Sequence, residues 1–172
     1  MLNKFLCEMA VWAVAVSASG AEWMTDLEAA KARAAAEGKA VLVDFTGSNW
    51  CHYCARLREG ILDTPAFEEY AKDKFVLMEV DVPRGKSGFP ADLLQRNKQL
   101  CEQFKVRGFP TLLVLTPEGK VVGGMRGFRP LIEMVQQPLD EALANIPTLR
   151  KAEAAEGPER VRLLRAAYEA IP

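Results

Sequence analysis

The chain is poor in the residues that would commit it to several common functions. It has one histidine, four cysteines and a formal charge of only −1 across 172 residues. A single imidazole argues against a histidine-based zinc site. The near balance of 22 Lys and Arg against 23 Asp and Glu gives no nucleic-acid footprint and no general attraction to anionic membranes. Four cysteines are too few for a disulfide-dense scaffold. The N-terminal apolar stretch from Met9 to Ala18 falls well short of the ~20 residues a spanning helix requires. What is present is an ordinary globular composition, 49% apolar and 26% charged with 10 prolines. Its length suits one self-sufficient domain with an extension.

Lys4 precedes the apolar stretch, which ends in the small residues Ser17-Ala18-Ser19-Gly20-Ala21. Residues 1–20 therefore read as a secretory signal peptide cleaved near Gly20 or Ala21, with Glu8 diluting the positive region. The expected location is periplasmic or secreted, with membrane association only if the segment stays uncleaved. Cys7 lies too far from the small-residue site to read as a lipidated cysteine. Its loss would leave Cys51, Cys54 and Cys101. An odd number means at least one thiol is unpaired within the chain or paired with something else.

Thr25 to Lys39 reads as a helix capped by Thr25 or Asp26 and ended by Gly38. The nearly continuous apolar run Ala40 to Phe45 predicts a strand buried on both faces. Thr46-Gly47-Ser48-Asn49 is turn chemistry, after which a helix should run from Cys51 to about Arg58 before Gly60 interrupts it. Thr64-Pro65 opens another helix, Lys74 to Val82 is a strand, and Ala91 to Phe104 is a helix. Strands Thr111 to Leu115 and Lys120 to Gly123 flank Pro117-Glu118-Gly119 as a hairpin. A helix over Leu131 to Ala144 follows, with Leu131, Val135, Leu139 and Leu143 at four-residue spacing.

Helix-separated strands call for a parallel arrangement, and the hairpin adds an antiparallel edge. The expected class is α/β, with a mixed central sheet and helices on both faces. One domain should span residues 21–146, followed by a peripheral, charged, alanine-rich helical tail over 147–172. Within that tail Gly157-Pro158 starts a short amphipathic helix carrying Val161, Leu164, Ala167 and Tyr168.

Cys51 and Cys54 stand two residues apart at a strand-to-helix junction, where they can close a small disulfide or open to a dithiol. Cys51 would sit at the helix N-terminus, where unpaired backbone N–H groups and the macrodipole favour a thiolate. A Cys-x-x-Cys pair also serves as half of a zinc site, as a copper-transfer site or as a structural clip. Zinc would want a second ligand pair, and only Cys101 and His52 remain. The preceding strand and following helix favour redox exchange, with no bound metal or cofactor.

Val43-Asp44-Phe45, Trp50-Cys51-x-x-Cys54 and Gly108-Phe109-Pro110-Thr111, in this order, resemble the thioredoxin fold. The chain is similar in particular to the C-terminal thioredoxin-like domain of the periplasmic transmembrane thiol–disulfide interchange reductase and its single-domain relatives. Thr64-Pro65-Ala66-Phe67, Phe75-Val76-Leu77, Val106-Arg107, Pro117-Glu118-Gly119 and Gly127-Phe128 carry that likeness, which spans roughly Ala40 to Leu143.

The resemblance implies an exported protein thiol–disulfide oxidoreductase whose partners are protein thiols or disulfides and a redox partner protein. Cys51 would attack, Cys54 would resolve the mixed disulfide, and Asp44 would relay the resolving proton. Pro110 would be cis, its loop with Phe109 and Thr111 offering backbone hydrogen bonds to an extended substrate. Trp50 would cover the sulfurs, although a plain core tryptophan fits equally. His52-Tyr53 replaces the Gly-Pro of thioredoxin. A protonated His52 near Cys51 would make the disulfide more oxidising, whereas an exposed one would have no such effect. Direction therefore stays open, with reductase or isomerase support favoured by the resemblance. Cys101, beside Leu100 and Phe104, reads as a buried inert thiol. The rival readings are a non-catalytic module presenting the Phe109-Pro110 loop, and a copper or zinc carrier.

Overall fold

The apolar run beginning at Ala40 becomes strand β2 (Ala40–Thr46), buried along its whole length, and the sheet is assembled around it. The computed structural model describes residues 22–85 and 88–169, so the signal-peptide expectation over 1–20 lies outside the described residues. Strand β1 (Trp23–Met24) pairs in parallel with β3 (Phe75–Asp81), which pairs in parallel with β2. Strand β4 (Thr111–Leu115) runs antiparallel to β2, and β5 (Val121–Arg126) antiparallel to β4. The sheet order is β1-β3-β2-β4-β5.

The helices are α1 (Leu27–Glu37), α2 (His52–Leu57), α3 (Pro65–Ala71), α4 (Ala91–Gln103), α5 (Ile132–Ala154) and α6 (Gly157–Glu169). Alternation along β2 divides the core. Ala40 and Leu42 pack with Leu57, Ile61, Leu62, Phe67 and Leu139 under α2, α3, α5 and α6. Val41, Val43 and Phe45 pack on the other face with Ala30, Ala34 and Leu100 under α1 and α4. Asp44 shares the parity of Ala40 and Leu42, so it points to the face covered by α2. That parity places the candidate acid and the Cys54 helix on one side of the sheet.

The structure departs from the sequence reading at several points. Strand β1 went unread because two residues are too few to show alternation. Gly60 does not stop the helix after the cysteines; α2 widens into a π-helical turn, Arg58–Leu62, which buries both Ile61 and Leu62. Strand β4 is not parallel to β2 even though a helix precedes it. Its first residue, Thr111, pairs with Phe45 near the end of β2, so α4 does not return the chain to the start of the sheet. This direction is what carries the Phe109-Pro110 turn to the cysteine end.

The largest correction concerns the tail. Helix α5 runs unbroken through Pro138 and Pro147 to Ala154, so the expected boundary after Ile146 falls inside it. An interior proline costs about 3 kcal/mol, opposed here by tertiary burial beyond it. Leu149, Ala152 and Ala167 of α6 are all 3% exposed or less. Buried Asn145 donates from Nδ2 to Val122 O of β5 and to Ala167 O of α6, tying the three elements together. Val161 and Tyr168, expected on the apolar face of α6, instead face solvent.

Helix α5 crosses β5 at close range because Gly123 has no side chain. A Cβ added there would lie 2.5 Å from Ala142 Cβ. Gly123→Ala is expected to push α5 outward and destabilise the fold by about 1–3 kcal/mol. Urea unfolding should show a lower midpoint with an unchanged slope. Gly60→Ala, where a Cβ meets nothing within 4 Å, is the control and should not lower the midpoint.

Candidate active site

Past Thr46 the backbone turns on Gly47, whose carbonyl accepts from Trp50 N at 3.2 Å and Cys51 N at 2.8 Å. Side chains strap this turn to the end of β3. Ser48 donates from N (2.8 Å) and Oγ (2.6 Å) to the two carboxylate oxygens of Asp81. Asn49 and the backbone of Arg84 exchange two hydrogen bonds, at 2.9 and 3.0 Å. Sequence reading assigned Ser48 and Asn49 only to turn chemistry and missed Asp81. The partners lie more than thirty residues apart and share no local pattern.

Trp50 is fixed on several sides. Its Nε1 donates to Val82 O at 2.8 Å, the Arg84 guanidinium lies 3.7 Å over its ring, and Phe109 meets its ring edge to face at 5.5 Å. A Cβ on Gly47 would come within 2.4 Å of the indole, so this close approach requires glycine. Trp50 thereby couples the cysteine segment to the residue preceding Pro110.

Cys51 and Cys54 form a disulfide with an S–S distance of 2.12 Å. Cys51 caps α2, its Sγ accepting from Cys54 N at 3.2 Å. It is the more accessible sulfur, 8% exposed against 3% for Cys54. His52 and Tyr53 project outward, with ring centroids 5.8 Å apart. Tyr53 also stacks on Phe128 at 5.8 Å, and the Arg56 guanidinium lies 4.8 Å from the Phe128 ring centre.

The Phe109–Pro110 peptide is cis, and Pro110 is buried. Pro110 O accepts from Gly127 N at 2.8 Å, and Thr111 Oγ1 donates to Gly108 O at 2.9 Å. The Phe109 turn is thus held against both β5 and Trp50.

Asp44 is 2% exposed, and its Oδ1 has no hydrogen-bond partner among the described residues. Burial pushes its carboxyl up from the ordinary 3.8 to about 7, with Asp63 and Asp81 adding to the rise and Arg58 opposing it. Arg58 pairs with Glu79, which lies directly across from Asp44 on β3, and reaches Asp63 at 3.7 Å. Its guanidinium lies 4.3 Å over Trp23 of β1. Arg58, Glu79 and Trp23 went unread in the sequence because three separate elements bring them together.

Cys101 is half-buried on α4, on the sheet face opposite Asp44, with its thiol pushed up to about 11 by burial and by Glu102. Such a thiol is a weak nucleophile at neutral pH.

A thioredoxin-like domain model matches residues 27–141. The chain is 34% identical over 115 residues to the disulfide bond reductase DsbH of Chlamydia pneumoniae, covering 67% of this chain and 68% of that protein. A solved DsbH oxidoreductase superposes with a TM-score of 0.60 at 27% identity, covering 81% of this chain and 95% of that one. The oxidised C-terminal domain of DsbD from Neisseria meningitidis superposes with a TM-score of 0.50 at 16% identity, over 70% of this chain and 99% of that one, a likeness of fold.

Proposed function

The chain belongs to the thioredoxin-like domain family and is a thiol–disulfide oxidoreductase, and from that premise we propose that it acts as an exported reductase of protein disulfides. The observation that carries this reading is the Cys51–Cys54 disulfide at the mouth of α2, with Cys51 the more exposed sulfur. In the reduced protein the Cys51 thiolate attacks one sulfur of the partner disulfide, and the partner's other sulfur leaves as a thiolate. Cys54 then loses its proton and attacks Cys51, releasing the partner's second sulfur. Two electrons pass to the partner, and the Cys51–Cys54 disulfide remains to be reduced by a dithiol donor protein.

Asp44 takes the role of proton acceptor for Cys54. Its carboxyl, raised to about 7, is matched to exchanging a proton near neutrality. Phe109 and Thr111 flank the cis-Pro110 and offer backbone to an extended partner segment, while Trp50 keeps that turn in register with Cys51. Export to the periplasm is supported by the signal-like segment before Ala21.

The purified protein, with dithiothreitol as donor, is expected to accelerate insulin reduction. Equilibration with glutathione should give a potential closer to the ~ −270 mV of thioredoxin than to the ~ −120 mV of a strong oxidant. A value at the oxidising end would reverse the direction, and no activity in either assay would overturn the enzyme reading.

A further inference from the structure

Four segments frame the disulfide. Residues 47–57 carry it, Val82 receives Trp50 Nε1, Phe109 packs on Trp50, and Gly127-Phe128 reaches both Pro110 O and Tyr53. Residues 47–57, 82–85, 106–111 and 126–131 together contain five arginines (Arg56, Arg84, Arg107, Arg126 and Arg129) and no Lys, Asp or Glu. That is five of the chain's 22 basic residues and none of its 23 acidic ones, so a nearly neutral protein carries a one-signed rim at its reactive end. Arg56, Arg84, Arg107 and Arg126 are exposed.

Among the described residues none of the five is ion-paired. Arg56 and Arg84 lie on aromatic faces, and Arg129 donates to the neighbouring Phe128 O. Two carboxylates border the rim without pairing with its arginines: Asp81 accepts from Ser48, and exposed Glu59 lines a groove with Arg56, Gly60, Ile61, Phe128 and Pro130, so five arginines face two acids and the excess stays positive. An apolar contact adjoins these charges. Tyr53 and Leu131 are 55% and 58% exposed, and Tyr53 stacks on Phe128 at the edge of that groove.

Resting on the reading of the chain as a disulfide reductase, we propose that this rim is a docking surface for protein segments that carry Asp or Glu beside their disulfide and an aromatic or large apolar residue nearby. Arginine suits this task better than lysine, because its planar fork can hold a carboxylate through two parallel hydrogen bonds. The aromatic side chain covers Tyr53 and Phe128. The arginines attract the acidic flanks before covalent contact and hold them while Cys51 exchanges. A cationic partner meets five like charges at the same place.

The test uses two disulfide-bonded peptides identical except for glutamates or lysines flanking the cysteines. Each is mixed with pre-reduced protein, and oxidation is followed by Trp50 fluorescence. At low salt the glutamate peptide is expected to react at least about tenfold faster. The two rates should converge near 1 M salt, where the screening length falls to about 3 Å. The Arg107→Glu/Arg126→Glu double variant, which takes the rim from five positive charges to a net of one, should bring the two rates close together, a change of ratio that a general loss of activity does not mimic. Equal rates at low salt, or a preference for lysine in the unmodified protein, would overturn the docking surface. Bis(2-hydroxyethyl) disulfide, which is uncharged and acyclic, separates the two levels. If it is exchanged while both peptides react equally, the docking fails and the reductase stands; if nothing is exchanged, both fall.

Discussion

Cys51→Ser is expected to reduce insulin reduction to the uncatalysed background, while Cys54→Ser should capture partners as stable mixed disulfides. The two cysteines differ in position as well as order. Cys51 caps α2 and is the more exposed sulfur, whereas Cys54 lies within the first turn and is 3% exposed. The hydrogen bond to Cys51 Sγ comes from the backbone N–H of Cys54, so it survives replacement of the Cys54 side chain. The single remaining thiolate therefore keeps its stabilising donor but has no resolving neighbour. Mass spectrometry of Cys54→Ser after exposure to a disulfide peptide should show one covalent adduct, removable by dithiothreitol. The Cys51→Ser/Cys54→Ser double variant should show none, because Cys101, with its thiol pushed up to about 11, is then the remaining thiol among the described residues. Full insulin reduction by Cys51→Ser, or an equal adduct on the double variant, would move the chemistry away from this pair.

Asp44→Asn should act in opposite directions on stability and on catalysis. In the folded, oxidised protein burial raises the Asp44 carboxyl from the ordinary 3.8 to about 7. Between about pH 4 and pH 7 the unfolded chain has lost this proton and the folded chain retains it. The folded state then binds more protons, so this group makes stability fall as pH rises through that window. Above pH 7 both states are ionised and the whole penalty is present. At about 1.4 kcal/mol per pKa unit it is on the order of 4 kcal/mol. An amide in place of the carboxyl cannot ionise, so the variant should lack this slope and be more stable than the parent at pH 8. The gain is below the full figure because the amide also lacks partners. Urea midpoints from pH 5 to 8 measure the difference, and parallel curves would remove Asp44 as a raised, buried acid. Resolution of the mixed disulfide should meanwhile slow by about 100-fold, since no carboxylate remains to accept the Cys54 proton.

The Arg58–Glu79 pair connects these expectations to the fold. Glu79 stands opposite Asp44 in the β2–β3 register, and Arg58 is the cation that holds the Asp44 carboxyl below where burial alone would place it. Asp63 and Asp81 are the acids that push the other way. Proton exchange at Asp44 therefore depends on a residue of the π-helical turn, which the presence of Gly60 alone did not foretell.

The chain by itself determined the parts of this protein that rest on short-range pattern. Unbroken burial of β2 was legible in the run Ala40 to Phe45, a cap at Thr25 or Asp26 and another at Thr64 in their side chains, and a pair able to close a disulfide in the spacing of Cys51 and Cys54. Period, capping and spacing act within a few residues, so they can be read along the sequence. Tertiary structure alone decided the antiparallel course of β4, the docking of α6 through Asn145, the cluster around Asp44 and the arginine rim. Each depends on surfaces supplied by segments tens of residues apart. Burial across such distances outweighed the two prolines inside α5, and it turned an ordinary aspartate into an acid poised near neutrality.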